Sequence, residues 1–258
     1  IHNTGFIYSV WYRKDITIPE QFKDKRAILH FGAVDYFATI YINGEKVFEH
    51  KGGYTPFSLD ITDYLKPEGN YITVCAEDDP KSPAQPSGKQ SDKLDSYGCF
   101  YTRTTGIWQT VWLEFVPSVY VTSLNITPNT EAPGVLVRIQ LSSAADCTIS
   151  AKAYFNAKVV GEAQLTPNSM CADLYIPLSE KHLWDVGLGN LYDLEIEVLE
   201  GDSKDYIKSY FGLRDVMLKD GAFLINGKKI FGRWVLDQGF YPDGIYTAPS
   251  DDALKADI

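Results

Sequence analysis

The sequence predicts an all-β fold of two successive sandwiches, ending in a strand, a loop and the start of a helix. Three observations predict it: short runs with a period of two, Asn-Gly and Pro/Gly turn chemistry between them, and almost no helix-length periodicity before residue 250. A chain of 258 residues with 45% hydrophobic content can bury a core in each of two ordinary domains.

Ala27, Leu29, Phe31 and Ala33 alternate with Ile28 and His30. Phe37 to Ile42 then leads into Asn43-Gly44, a dipeptide that accepts positive φ at both central positions of a type I′ hairpin turn, and Lys46 to His50 returns. Tyr71 to Ala76 and Ile107 to Phe115 are rich in β-branched and aromatic residues and predict two more strands. Between them, Asp78 to Ser96 is dense in Pro, Ser, Lys and Asp and predicts a long loop of the functional or mobile kind.

Pro117-Ser118 breaks the pattern, so a first domain is expected over 1–116. Beyond it, Val135-Val137-Ile139-Leu141, Ile149-Ala151-Ala153-Phe155 and Tyr192-Leu194-Ile196-Val198 alternate with polar or smaller residues. About seven short strands over roughly 100 residues fit an immunoglobulin-like sandwich over 117–216, without the Cys-Trp-Cys arrangement of antibody domains. The remainder, 217–258, carries a second Asn-Gly turn at Asn226-Gly227. An apolar run of buried-strand type, Arg233-Trp234-Val235-Leu236, follows, and Ser250 is placed to cap a helix opening with Asp251 and Asp252. One strand cannot close a parallel sheet, so this part reads as the entry to a larger domain. Phe231 to Leu236, an unpaired edge, is expected to be held by packing on the sandwiches or against another chain.

A formal charge of -10, from 24 basic and 34 acidic residues, argues against nucleic acid as a partner. No stretch approaches the roughly 18 apolar residues that cross a bilayer, so no membrane insertion is expected, and Ile1 to Ser9 lack the charged and apolar regions of a leader. Compartment and self-association, including a homo-oligomer, are left open. Cys75, Cys99, Cys147 and Cys171 show no C-x-x-C pair and are read as free core thiols. His2, His30, His50 and His182 are scattered without metal-binding spacing. Glu77-Asp78-Asp79 is read as a solvated strand end rather than a calcium site, lacking the alternating spacing of a calcium loop. No cofactor is called for.

Several motifs together resemble a known family. Asp35-Tyr36, Ile42-Asn43-Gly44, His50-Lys51-Gly52-Gly53-Tyr54-Thr55-Pro56-Phe57 and Asp60-Ile61-Thr62 resemble the sugar-binding jelly-roll domain of family 2 glycoside hydrolases, a family of β-galactosidases, β-glucuronidases and β-mannosidases. Thr104 to Glu114 is similar to the segment that closes that domain. Pro86-Ser87-Gly88-Lys89-Gln90 is similar to a loop of one bacterial branch, where the residue before the glycine is more often Arg than Ser. Asn226 to Ile230 and Gln238 to Gly244 are similar to the entry into the (β/α)8 catalytic barrel.

The resemblance implies a jelly roll over 1–116 and a truncated TIM barrel from 217. It also implies retaining hydrolysis by two glutamates about 5 Å apart, one in an Asn-Glu pair at the fourth barrel strand and one at the seventh. The chain has no Asn-Glu dipeptide. It is therefore expected to be inactive alone, while its parent cleaves a carbohydrate substrate. Asp237 and Gln238, at the C-terminal end of the expected barrel strand, are candidates to hydrogen-bond sugar hydroxyls. Trp234 is expected to pack rather than stack on sugar, and most of the other aromatic rings to form core. Arg103, Asp35, His50 and Tyr54 are candidates to touch substrate or brace the loop at its rim; for Asp35 and His50 the bracing role is favoured. Gly52-Gly53 reads as backbone geometry, not phosphate binding. The rival reading is a stand-alone carbohydrate-binding or adhesion module of tandem sandwiches, for which a chain ending near Arg214 would speak.

Overall fold

A computed structural model describes residues 5–258. Ile1, His2, Asn3 and Thr4, which enter the leader and histidine readings, lie outside the described residues. The fold divides into two compact units, one running to Phe115 and taking in Leu236–Ile258, the other spanning Val116–Val235.

In the first unit the strands are β1 (Ser9–Ile16), β2 (Arg26–Phe31), β3 (Val34–Asp35), β4 (Phe37–Ile42), β5 (Glu45–Lys51), β6 (Phe57–Asp60), β7 (Asn70–Glu77), β8 (Gly106–Ile107) and β9 (Val111–Val116, whose last residue falls in the second unit). They form a four-stranded sheet in the order β1-β7-β4-β5, a three-stranded sheet β6-β2-β9 and a short pair β3-β8. The β1-β7, β7-β4, β4-β5, β2-β6 and β3-β8 pairings are antiparallel. Alternation decides what lies between the sheets: Ala27, Leu29 and Phe31 of β2 meet Ala38, Ile40 and Ile42 of β4 and Ile72, Val74 and Ala76 of β7. The turn after β4 joins Ile42 to Glu45 through Asn43 (φ 55°) and Gly44 (φ 89°), the positive pair that a type I′ hairpin requires. This is a jelly-roll sandwich.

The second unit contains β10 (Val121–Asn129), β11 (Gly134–Leu141), β12 (Thr148–Phe155), β13 (Lys158–Leu165), β14 (Cys171–Pro177), β15 (Tyr192–Glu200) and β16 (Ser203–Phe211). Sheets β10-β11-β14 and β13-β12-β15-β16 form an immunoglobulin-like sandwich. The sets picked out by period two are its core: Val135, Val137, Ile139 and Leu141 meet Ile149, Ala151, Ala153, Leu194, Ile196 and Val198. A three-stranded sheet of β17 (Val216–Lys219), β18 (Ala222–Ile225) and β19 (Lys228–Ile230) follows. Asn226 (φ 51°) and Gly227 (φ 74°) repeat the positive-φ turn. The Asn226 side chain ties it down, donating to Trp184 O at 2.8 Å and accepting from Asp215 N at 3.1 Å.

The structure corrects three expectations. Arg233–Leu236 is not a strand, and Val235 is 92% exposed. An apolar run fixes a strand only when neighbouring strands take up its N–H and C=O groups, and none pairs with it here; within this chain its side chains are not covered by the sandwiches either. Trp234 meets Phe223 edge-on at 5.9 Å. Second, Cys75 and Cys147 are buried but Cys99 and Cys171 are exposed, because Cys99 sits at a loop tip and Cys171 on the outward phase of β14; all four are free thiols. Third, Asp78 is not solvated. It is 4% exposed, with Gln85 Nε2 donating to one oxygen and Thr105 Oγ1 donating to the other at 2.7 Å. The helix α1 (Asp251–Asp257) starts as its sequence predicts, Ser250 Oγ accepting from Ala253 N at 3.2 Å.

Candidate functional site

The long loop between β7 and β8 is built around one amide. Gln90, itself buried, donates through Nε2 to Asp35 Oδ2 at 2.8 Å and to the Tyr54 hydroxyl at 3.3 Å, while its Oε1 accepts from Thr104 N at 2.6 Å. One side chain thus clips the loop's end to β3 and to the turn after β5. Asp35 is 1% exposed and its Oδ1 has no hydrogen-bond partner. Burial, partly offset by the Gln90 hydrogen bond, pushes its pKa up to about 6, and the Asp78 carboxylate adds to the rise. Gly53 lies against that oxygen so closely that a Cβ there would collide with it, and Gly52 has φ 139°. Both glycines therefore serve backbone geometry.

From Tyr54 the network runs outward. The Tyr54 and Tyr246 hydroxyls are 2.8 Å apart, and Tyr101 donates to Tyr246 at 2.7 Å. Burial raises the pKa of Tyr54, and burial with the two tyrosine hydrogen bonds raises that of Tyr246, so both stay neutral at physiological pH. Trp108 Nε1 donates to Gly53 O at 2.8 Å, and Thr247 Oγ1 donates to Trp108 O at 2.6 Å. The stretch around 240–247 is thereby fastened to the jelly roll, with Phe240 lying 5.3 Å from Tyr101, ring to ring.

Arg103 braces the same loop: Nη1 donates to Lys93 O at 2.8 Å and Leu94 O at 3.2 Å, Nη2 to Gly5 O at 3.2 Å, and the guanidinium lies 4.3 Å from the Phe6 ring centroid. His50 lies at the end of β5, 3.1 Å from Thr55 Oγ1 and stacked on Phe57 at 4.2 Å. Asp237 is exposed and accepts from Gly239 N at 3.0 Å, turning the chain. Gln238 faces an open cleft of about 390 Å³, lined by residues 96–101 on one side and by Gln238 and Phe240 on the other.

The structure thus joins Asp35, Tyr54 and Gln238 to one region and leaves His50 bracing a turn. Sequence reasoning did not single out Gln90, Tyr101, Phe240 or Tyr246. Gln90 and Phe240 lay inside motifs already noted, but nothing in a polar loop marks which amide will be buried. Among the described residues no cluster of His, Cys, Asp and Glu could hold a metal ion, and no helix is long and apolar enough to cross a membrane.

Residues 7–109 match the family model described as glycosyl hydrolase 2 galactose-binding domain-like, and residues 119–214 match glycosyl hydrolases family 2. The chain belongs to glycosyl hydrolases family 2. Its matched regions correspond to the N-terminal, non-catalytic domains of family 2 enzymes. It is 29% identical over 92% of its length to a β-galactosidase of Thermoanaerobacterium thermosulfurigenes, and 26% identical over 88% to a β-glucuronidase of Streptococcus agalactiae. The match covers 34% and 39% of those relatives, so the chain spans little more than a third of their length. The β-glucuronidase of Ruminococcus gnavus, solved in complex with D-glucuronic acid, shares the fold over 87% of this chain and 40% of its own, with a TM-score of 0.68 at 19% identity.

Proposed function

We propose that this chain is the non-catalytic front part of a retaining β-glycosidase, with a sugar-binding jelly roll over 1–116, an immunoglobulin-like sandwich over 117–216 and the beginning of the catalytic domain over 217–258. The observation that carries the reading is the pair of consecutive family 2 matches on a chain that spans about a third of its glycosidase relatives. The parent hydrolyses a terminal β-linked sugar through two glutamates that this chain does not supply, since it holds no Asn-Glu dipeptide.

In that enzyme the jelly roll shapes the aglycone side of the pocket. Gln238 and Asp237 are the groups for sugar or aglycone hydroxyls. Asp35, Tyr54 and Arg103 hold the loop that forms the rim, and His50 braces the turn after β5, a division supported by the burial of Asp35, by the carbonyls that occupy Arg103 and by the His50 contacts to Thr55 and Phe57.

Hydrolysis of a panel of nitrophenyl β-glycosides by this chain and by the full-length protein tests the reading. Turnover is expected from the full-length protein alone. Turnover by this chain would show that it carries its own catalytic carboxylates, and silence from both would favour a carbohydrate-binding module.

A further inference from the structure

A second cleft, of about 320 Å³, opens in the jelly roll where the turn before β2 meets the turn after β6 and the end of β9. The surface it presents is mostly carbon. Ile18, Phe22, Leu65 and Phe115 line it, and each stays partly exposed beside a closed core. The charged residues of the lining are Lys23, Lys25 and Lys66, with no carboxylate among them, in a chain whose formal charge is -10. Lys23 pairs with Glu20, whereas Lys25 and Lys66 have no ion-pair partner among the described residues. Thr62, the remaining polar side chain of the lining, is already committed, its Oγ1 accepting from Ala27 N at 2.9 Å and donating to Asp60 Oδ1.

Both walls are fixed before any ligand arrives. Phe22 lies flat on Phe115, with centroids 4.6 Å apart and planes 4° from parallel, and Lys25 N donates to Phe22 O at 3.0 Å to close the turn that carries Lys25. On the other wall the buried amide of Asn70 holds the Lys66 backbone twice, accepting from its N at 2.7 Å and donating to its O at 2.7 Å. Asn43 donates to Tyr64 O at 2.8 Å in the same turn. Buried hydrogen-bonding groups, costly when unpaired, thus place a lysine at the rim of an apolar cleft.

Lysine stems commonly cover apolar surface while the ammonium stays in water, yet four apolar side chains remain open here. An ammonium beside a carbon wall makes a stronger charge-assisted bond than one in open water, and the wall itself gains by burial. A neutral hydrocarbon would leave the lysines unused, a sugar would bring hydroxyls to carbon, and a small inorganic anion would leave the floor wet. The volume lies in the range of about 300–1,000 Å³ usual for small-molecule sites.

We infer that this cleft is a binding site for an amphipathic organic anion, a carboxylate on an aliphatic chain or ring. Its head meets Lys25 and Lys66, and its apolar body lies on Ile18, Leu65 and the Phe22–Phe115 pair. The site shares no lining residue with the cleft at residues 96–101 and Gln238, so it stands apart from the glycosidase reading.

A ligand-observed NMR titration of this chain tests it with octanoate and 1-octanol, probes of one chain length that differ in the charge of the head. Octanoate is expected to bind about tenfold more tightly than 1-octanol, and to lose that advantage as salt is raised. Lys25→Gln with Lys66→Gln is expected to weaken octanoate about tenfold and to leave 1-octanol unchanged, which also reports that the cleft is intact. Ile18→Ser is expected to weaken both probes about fivefold. Lys25→Arg with Lys66→Arg keeps the charge and should keep the preference, and it carries the test if the glutamine variant does not fold. Equal affinities for the two probes, octanoate binding unchanged in the glutamine variant, loss of the preference in the arginine variant, or no binding of either probe would overturn the inference.

Discussion

The two sandwiches treat buried polarity in opposite ways. The buried polar and charged side chains among the described residues, Asp35, Thr39, Asn70, Asp78, Gln90 and Ser91, all belong to the jelly roll. The immunoglobulin-like unit buries hydrophobic residues from Val119 to Leu213 and no such polar side chain. A buried polar group costs free energy unless its partners are in place, so a domain that collects them holds its shape through specific hydrogen bonds as well as apolar contact. The second unit has the economy of a scaffold. The first spends stability on fixing a loop, and that loop walls the cleft.

The largest effect is expected where the core is purely apolar. Leu194→Ala, at a fully buried position in β15, should cost about 2–5 kcal/mol with no dependence on pH between 5 and 8, read as a shift in the urea midpoint. In the jelly roll the corresponding sensitivity is polar. Gln90→Leu removes the one hydrogen bond to Asp35 and strands Thr104 N, and at pH 8 it should cost about 3 kcal/mol. That cost should shrink at pH 5, where Asp35 takes up its proton. An equal cost at both pH values would show that the carboxylate is not the group Gln90 supports.

Asp35→Asn sharpens the contrast with a change of sign. The unfolded carboxyl titrates near 3.8 and the folded one near 6, so between those values the native state holds the extra proton and stability falls as pH rises. By pH 8 the penalty is about 3 kcal/mol. Asparagine never carries the charge, but its amide nitrogen finds no acceptor at the Oδ1 position, which costs about 1 kcal/mol. The variant should therefore be more stable than the unsubstituted chain by about 2 kcal/mol at pH 8 and less stable by about 0.5 kcal/mol at pH 4. Denaturation at the two pH values that shows no crossing would mean that Asp35 is solvated in solution.

The same contrast explains what could be read in advance. In β11, β12 and β15 a single apolar face decides each strand, and alternation in the sequence carries that information directly. In the jelly roll the strands were equally plain, but the site was not. Asp78 looks solvated in an acidic triple, and Gln90 looks like any loop amide; both are buried because partners from distant positions, Thr105 and Asp35, arrive only in three dimensions. The run at 233–236 failed for the converse reason. Its apolar side chains state a preference for burial, but a strand is made by neighbours, and composition does not supply them.

The two Asn-Gly turns give the smallest and most closely matched test. Both asparagines hold positive φ, and both use the side chain to bind a neighbouring segment, but Asn43 does more. It donates to Tyr64 O at 2.8 Å and to Asn70 Oδ1 at 2.9 Å, and accepts from Tyr71 N at 3.0 Å. Asn226 makes two such bonds, to Trp184 O and from Asp215 N. Replacing each by glycine keeps the backbone conformation and deletes only the side chain, so the entropy term is shared and cancels between variants. Asn43→Gly should cost about 2 kcal/mol, because Asn70 Oδ1 loses a partner at a buried site, and Asn226→Gly about 1 kcal/mol. Equal losses would mean that the jelly roll's polar brace at Asn43 is worth no more than the simpler turn at Asn226, in the three-stranded sheet that follows the second sandwich.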